Sequence, residues 1–274
     1  MDLDLFGEKI AKPKPILKWV GGKQAISQAI MAEFPTDFDR YFEPFLGGAS
    51  VVLNVDPRNG VVGDQNTWLI DTYEAIRDDW KAVAKKLDTM PNTKDEYLKI
   101  RSISPNSLSK NEKAAQLIYL NKTCFRGLFR VNQKGGFNVP YGNYDRRYYS
   151  PENLEIVSEC FQHLTFCRGD FESTLDGIVA GDFAYFDPPY YKLGGHSDFN
   201  RYTAGQFREP EQIRLASFCR ELDQRGIQWA LSNSLTPFIK NLYQGFRFIE
   251  VEARREINLK SNKRTVKELL ITNF

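Results

Sequence analysis

Histidine is scarce in this 274-residue chain, with two in all, and the four cysteines (Cys124, Cys160, Cys167 and Cys219) form no CxxC pair. That disfavours structural zinc and a disulfide framework, so no metal site is expected and the thiols read as free, buried or half-buried. No apolar stretch reaches the length of a membrane span. The amino terminus, MDLDLFGEKI, is acidic and lacks the basic-then-apolar pattern of a signal peptide. An intracellular, cytoplasmic protein without membrane association is expected. GxGxxG, GxxxxGK[ST] and a nucleophile elbow are missing too, which disfavours a dinucleotide, a P-loop nucleotide and a serine-type hydrolase.

A charge excess is also missing, since the net is only +2. The distribution says more than the sum. Between Lys122 and Arg147 stand six Lys or Arg and one acid, Asp145. A second basic run spans Arg254 to Lys267, with Glu256 as its single acid. Either run alone could be a solvated face. Basic density interleaved with aromatic rings is also the electrostatic footprint of nucleic-acid binding.

What is present points to alternating strands and helices. RYFEPFL (40–46) and GVVGD (60–64) read as short strands around a glycine turn and a short helix, a compact βαβ-like unit. Leu69, Tyr73, Ile76, Trp80, Val83 and Leu87 fall at helical spacing, and KDEYLKIRSI and NEKAAQLIYLNKT add two further helices. From about 122 to 150 periodicity gives way to Gly, Asn and aromatic residues, as in an exposed loop or small hairpin. Helices at 153–164, 209–225 and PFIKNLYQ, and strands at 165–170, 182–187, IQWALSNS, FRFIEVEARR and KELLITNF, complete the pattern. The expectation is a doubly wound α/β sheet, mostly parallel, interrupted by a mainly helical insertion over about 68–152.

In such sheets ligands bind beyond the carboxyl ends of the strands. Three strand ends carry reactive residues: EPFLGG (43–48), GDQN (63–66) and DPPY (187–190). EPFLGG alone could be a structural tight turn. Asp64, 17 residues beyond Gly47, approximates the acid that hydrogen-bonds ribose hydroxyls, so an adenosine-containing small molecule is the better reading.

DPPY raises a sharper possibility. An exocyclic amine on a base is a poor nucleophile because its lone pair is delocalised into the ring. Two acceptors on the amine hydrogens would draw that lone pair toward sp³ character. Asp187 offers a carboxylate, the stiff Pro-Pro unit holds the Pro188 carbonyl outward, and Tyr190 offers a face worth roughly 1–3 kcal/mol of stacking per base. Fixed acceptors of this kind act electrostatically. The alternative is an ordinary strand-end turn. Tyr185, Phe186 and Tyr191 read as packing.

Taken together, several stretches resemble the Dam/DpnM family of DNA adenine-N6 methyltransferases: ILKWVGGK (16–23), YFEPFLGGASVVLN (41–54), GDQNTWLID (63–71), YLNKTCFRGLFRVNQKGGFNVPYGNY (119–144), FCRGDF (166–171), YFDPPY (185–190), LSNS (231–234) and KELLITNF (267–274). The resemblance runs from about residue 14 to the C-terminus in the family's order, and glycine motif, insert, then DPPY is the order of its α group. It implies a Rossmann-like methyltransferase sheet over 1–67 and 153–274 and a DNA target-recognition domain over 68–152. It also implies S-adenosyl-L-methionine as methyl donor, and as substrate an adenine flipped out of double-stranded DNA in a bacterial, archaeal or phage setting. No obligatory protein partner is evident.

Residue by residue, the resemblance sets Trp19, Lys23, Glu43, Phe45, Gly47, Asp64, Asp170, Phe171 and Asp187 around the cofactor, and Asp187, Pro188 and Tyr190 at the target adenine. Lys18, Phe125, Arg126, Leu128, Arg130, Asn132, Pro140 and Tyr144 match DNA-contacting positions. Arg130 would read guanine, Leu128 and Pro140 a thymine methyl, Lys18 and Tyr144 the first base pair, and Phe125 would wedge into the stack, so that GATC is the implied target. Arg126 replaces the more familiar asparagine and Asn143 an arginine. Phe125 and Leu128 could instead be core residues, and Gly21-Gly22-Lys23 a surface turn. Because [DNS]PP[YFW] chemistry also serves RNA adenine, cytosine N4 and protein glutamine, those substrates stay open, as does a catalytically silent DNA-binding module.

Overall fold

The computed structural model describes residues 12–133, 135–191, 207–253 and 266–274. Apolar residues alternate along the strands so that successive side chains enter two different cores. Tyr41, Phe183, Tyr185, Ala230 and Leu270 join one cluster. Their neighbours Phe42, Ala184, Phe186, Trp229, Leu231, Leu269 and Ile271 join the other. A sheet apolar on both faces must be covered on both, and it is.

The strands are β1 (Tyr41–Glu43), β2 (Gly60–Asp64), β3 (Leu164–Arg168), β4 (Phe183–Phe186), β5 (Gln228–Asn233), β6 (Arg247–Ala253) and β7 (Val266–Thr272). They form one sheet in the order β3-β2-β1-β4-β5-β7-β6. The five from β3 to β5 are parallel, and β7 runs antiparallel between β5 and β6. This is the expected doubly wound α/β sheet. Its strand order reverses between β1 and β4, so the loops after these two strands open the crevice where such sheets bind ligands.

One face carries α1 (Ser27–Met31), α3 (Thr67–Asp88), α5 (Lys110–Thr123) and α6 (Pro151–Phe161), through Ile30, Tyr73, Leu117 and Phe161. The other carries α7 (Phe171–Thr174), α8 (Glu209–Gln224) and α9 (Pro237–Leu242), through Phe171, Leu215 and Ile239. Between β1 and β2 the expected short helix is a single turn, α2 (Val52–Val55). The periodic segment 68–87 is found as α3, interrupted at Asp79, whose φ of −158° and ψ of 70° are not helical. Asp79 restarts the second half by accepting from the Ala82 N–H at 3.0 Å.

α4 (Lys94–Ser102) and α5 are the two further helices, and α5 opens on a Ser109/Glu112 capping box. The aperiodic stretch after α5 is a hairpin, with antiparallel bridges Cys124↔Tyr141 and Val131↔Phe137. Its backbone is also tied by Phe125 N to Pro140 O at 2.8 Å and Gly142 N to Thr123 O at 2.8 Å. The core under the hairpin is continuous with that of the sheet, since Phe137 and Val139 cluster with Trp68 and Tyr97. The side chains of the second basic run, 254–267, lie outside the described residues.

Candidate active site

β1 ends on Glu43, and the chain then turns through Pro44 to Gly48. Gly47 has φ +47°, a left-handed conformation that costs glycine little. A Cβ there would also stand 3.0 Å from the Trp19 ring. Two neighbours hold the loop: the Gly47 N–H donates to Asp64 Oδ2 at 3.0 Å, and the Tyr73 hydroxyl donates to Gly47 O at 2.7 Å. Asp64 Oδ1 accepts from Asn66 N at 2.8 Å. Burial raises the Asp64 pKa against these two N–H bonds. A carboxylate has about four lone-pair sites, so two bonds leave acceptor capacity for a ligand.

Glu43 is 2% exposed and accepts from the Tyr41 hydroxyl at 2.8 Å. Burial, reinforced by the Asp187 charge and opposed by that hydroxyl, pushes its pKa up to about 8. Phe45 stacks edge-on to Phe207 and at 5.8 Å on Phe171. Phe171 itself is 1% exposed, wedged among Phe45, Phe218 and the Arg214 guanidinium 4.5 Å above its ring. It supports the cleft from below and has no open face. Asp170 pairs with Arg214 through Oδ2, while its Oδ1 is buried without a donor among the described residues.

Across the switch point, β4 delivers Asp187. Its Oδ1 lies 2.8 Å from Lys23 Nζ. Gly21 and Gly22 are exposed, with Gly21 in a turn at φ +84°, so the glycines do form a surface turn, but it delivers Lys23 to a site where it is 2% exposed. The ammonium also donates to Gly21 O at 2.7 Å and sits 4.7 Å from the Tyr190 ring centroid. Burial raises the Asp187 pKa to about 6, with Lys23 opposing and the Glu268 charge assisting the rise. Tyr190 donates to Glu268 Oε2 at 2.7 Å.

The turn after Asp187 is latched from one side. The Gln212 amide donates to Pro189 O at 2.9 Å, and Ser234 Oγ donates to Tyr191 O at 2.6 Å. The Pro188 carbonyl, which precedes both of these in the turn, accepts no hydrogen bond from the described residues. Tyr185 and Phe186 are fully buried and Tyr191 stacks on Phe238 at 4.4 Å, so the flanking rings do pack.

A second group forms where the strand-ordered loops meet the hairpin. Asn121, fully buried, accepts from Lys18 N at 2.7 Å and donates to Lys18 O at 2.9 Å and Gly127 O at 3.2 Å. It thereby fastens the Lys18-Trp19 segment to the hairpin, and Trp19 stacks on Phe129 at 5.1 Å. Lys18 Nζ and the Arg146 guanidinium lie 5.8 and 4.6 Å from the Tyr144 ring. The Tyr144 hydroxyl accepts from Arg126 N at 2.9 Å.

Arg126, at φ +59°, projects beside Phe125, which is 45% exposed and therefore not a core residue. Leu128 is half-buried against the core, and Pro140 is exposed. Arg130 Nε donates to Asn138 O at 2.7 Å, and Asn132 closes the hairpin tip by accepting from Gly136 N at 3.0 Å. Burial and the neighbouring Lys18 and Arg146 push the Lys122 pKa down to about 8. Such a cluster favours an anion. Among the described residues no group of three or more His, Cys, Asp or Glu is placed to hold a metal, and no helix is long and apolar enough to cross a membrane.

The structure thus brings Lys23, Glu43, Gly47, Asp64 and Asp187 to one crevice, with Trp19, Phe45, Asp170 and Phe171 lining or supporting its loops. Lys18, Phe125, Arg126 and Tyr144 gather at the hairpin base, while Arg130 lies along an arm and Asn132 at the tip. Sequence reasoning missed Glu268, Gln212, Asn121 and Arg214. The acid of KELLITNF was a visible signal for Glu268. Gln212 and Arg214 are polar positions on an amphipathic helix and carry none.

Residues 19–257 match the model of the D12 class N6 adenine-specific DNA methyltransferases. The type II methyltransferase M.MjaIII of Methanocaldococcus jannaschii is 37% identical over 286 residues, covering 95% of this chain and 99% of its own length. The type II methyltransferase M1.LlaDCHI of Lactococcus lactis is 35% identical, covering 95% of each chain. A DNA adenine methylase of Vibrio cholerae is 32% identical over 94% of this chain and 95% of its own. With the carboxyl-end crevice, the glycine loop and the DPPY turn assembled as described, the chain belongs to the D12 class N6 adenine-specific DNA methyltransferases.

Proposed function

We propose that this enzyme transfers a methyl group from S-adenosyl-L-methionine to N6 of an adenine flipped out of duplex DNA, within GATC, as a Dam/DpnM-type enzyme of the α group. In this reading 1–67 and 153–274 form the catalytic domain and 68–152 the inserted recognition domain. One observation carries it. Asp187 directly follows β4 at the switch point, and the Pro188 carbonyl accepts no hydrogen bond from the described residues while the carbonyls of Pro189 and Tyr191 are engaged.

The donor set suits a cationic cofactor. Among the described residues, Glu43, Asp187 and Glu268 offer three carboxyls around a single cation, Lys23. Asp170 Oδ1 is a buried acceptor in need of a donor. Glu43, Phe45, Gly47, Trp19 and Lys23 would hold the methionine half, Asp64 the ribose, and Asp170 with the loop over Phe171 the adenine. When bound, S-adenosylmethionine supplies an electrophilic methyl on a sulfonium.

The protein's part is alignment and electrostatics. Asp187 Oδ2 and Pro188 O accept the two N6 hydrogens and localise the lone pair on nitrogen. With Lys23 over one face of Tyr190, the other face receives the extruded base. That contact returns roughly 1–3 kcal/mol of the few kcal/mol that flipping costs. Phe125 enters the vacated stack, with Arg126 beside it. Arg130 reads guanine through a bidentate contact, and Lys18, Leu128, Asn132, Pro140 and Tyr144 complete the DNA surface.

The family matched and the name of the Vibrio cholerae relative, a DNA adenine methylase, support adenine in DNA over RNA adenine, cytosine N4 or protein glutamine. Expression in a host lacking adenine methylation, followed by single-molecule mapping, should show N6-methyladenine confined to GATC. Methylation at another motif would refute the site, and transfer only to RNA or protein would refute the substrate. Asp187→Ala should abolish transfer while the fold and much of the DNA affinity persist. Wild-type activity in that variant would remove the assigned role.

A further inference from the structure

β7 runs opposite to β5, so its leading residues arrive at the carboxyl edge of the parallel strands. Leu269 pairs with Asn233, the last residue of β5, and Glu268 lies one step beyond. There the Tyr190 hydroxyl donates to Glu268 Oε2 at 2.7 Å, and the same oxygen is 3.8 Å from Lys23 Nζ. Both of those donors also face Asp187, with Lys23 at 2.8 Å. The two donors are therefore divided between two carboxylates.

We infer that Glu268 is a positioning residue for methyl transfer: by accepting the Tyr190 hydroxyl and sharing the Lys23 ammonium, it keeps one oxygen of Asp187 open for the amine of the base. The inference rests on the function proposed above. Every donor that Asp187 accepts from the protein competes with the substrate N–H for the same lone pairs. Without Glu268, the nearest charged acceptor for the Tyr190 hydroxyl is Asp187, and Lys23 turns wholly to it. The ring of Tyr190 also loses the bond that sets its tilt.

Among the described residues, the titratable and charged groups facing Asp187 are Lys23, Glu43, Tyr41, Tyr185, Tyr190 and Glu268. Within that set the Glu268 charge raises the Asp187 pKa, so removing the charge alone should move the acidic limb of the rate profile to lower pH. This shift separates the assigned role from simple packing.

The test is labelled-methyl transfer to a GATC duplex by wild type, Glu268→Gln, Glu268→Leu and Glu268→Leu/Tyr190→Phe, with melting temperatures in parallel. Glu268→Leu should lower kcat roughly ten- to a hundredfold, the value of one hydrogen bond to a charged group, at a cofactor KM within about twofold of wild type. Adding Tyr190→Phe should recover part of that loss, because the competing hydroxyl is gone. Glu268→Gln keeps an acceptor and should retain most of kcat with the acidic limb shifted down. The inference is overturned if Glu268→Leu matches wild type, or if the double variant is no better than the single. If Glu268→Leu fails to fold, an unmoved limb in Glu268→Gln overturns it. Wild type inactive on DNA adenine would refute the functional reading itself, whereas an active wild type with these failures refutes only the role of Glu268.

Discussion

Gln212 offers the most direct test of how the DPPY turn is held. It is fully buried on α8, donates to Pro189 O at 2.9 Å and accepts from Asn233 Nδ2 at 3.0 Å. Asn233 in turn accepts from Tyr191 N at 3.3 Å and Ser234 N at 2.8 Å. One amide thus links a helix, the end of β5 and both ends of the turn.

Gln212→Leu keeps the volume and removes both bonds. The Asn233 end is fully buried and loses the whole desolvation term, about 1–3 kcal/mol; the Pro189 end is exposed and loses less. A total near 2 kcal/mol corresponds to a melting temperature lower by roughly 4–8 °C. The rate should suffer more than stability, because a displacement of about 1 Å in the acceptor pair can cost roughly a hundredfold.

Gln212→Glu sharpens the test. Its protonated carboxyl can donate to Pro189 and accept from Asn233 as the amide does, whereas the carboxylate cannot donate. Burial raises the pKa of such a carboxyl, so the activity of Gln212→Glu relative to wild type should fall as pH rises. Methyl-transfer rates from pH 5 to 9 and thermal melts measure both effects. A ratio flat across that range, with Gln212→Leu near wild type in rate and melting, would refute the latch.

Four further outcomes are expected. Asp187 must be ionised to accept the amine hydrogens, and its pKa is raised to about 6, so kcat/KM should fall as pH drops through that value. Lys23→Gln should move the limb to higher pH because Lys23 opposes the rise, and a pH-independent rate between 5 and 7 would count against Asp187 as the titrating group. Arg130→Ala should relax discrimination at one guanine of the site by roughly 1–3 kcal/mol, read as relative kcat/KM on single-base variants of GATC; unchanged selectivity would remove that contact. Gly63→Ala would drive a Cβ into the Thr174 side chain, 1% exposed beneath β2, and should destabilise the fold by about 1–3 kcal/mol in denaturant melts. No measurable loss would mean that Thr174 can move aside.

Much of this protein was legible along the chain. The short apolar runs that end in polar residues at 182–187 and in IQWALSNS, and the period-3.6 spacing in 68–87, are direct signatures of buried strands and an amphipathic helix, and they located β4, β5 and α3 to within a few residues. The acceptor logic of Asp187 and Pro188 needs only local covalent facts: a carboxylate, and two residues that cannot donate.

The partners of those groups depended on distant segments that only folding brings together. Lys23 reaches Asp187 from a loop 164 residues earlier, a separation read directly from the two positions. Glu268 reaches Tyr190 because β7 reverses direction. Gln212 reaches Pro189 because α8 packs across the same edge. Asp79 broke a helix whose apolar spacing continues without interruption, since a side-chain cap can restart the ladder wherever the backbone leaves it. The sequence by itself determined which groups are chemically able to activate an amine. The tertiary structure decided which donors and charges compete for them, because burial and neighbouring charge are properties of three-dimensional contacts.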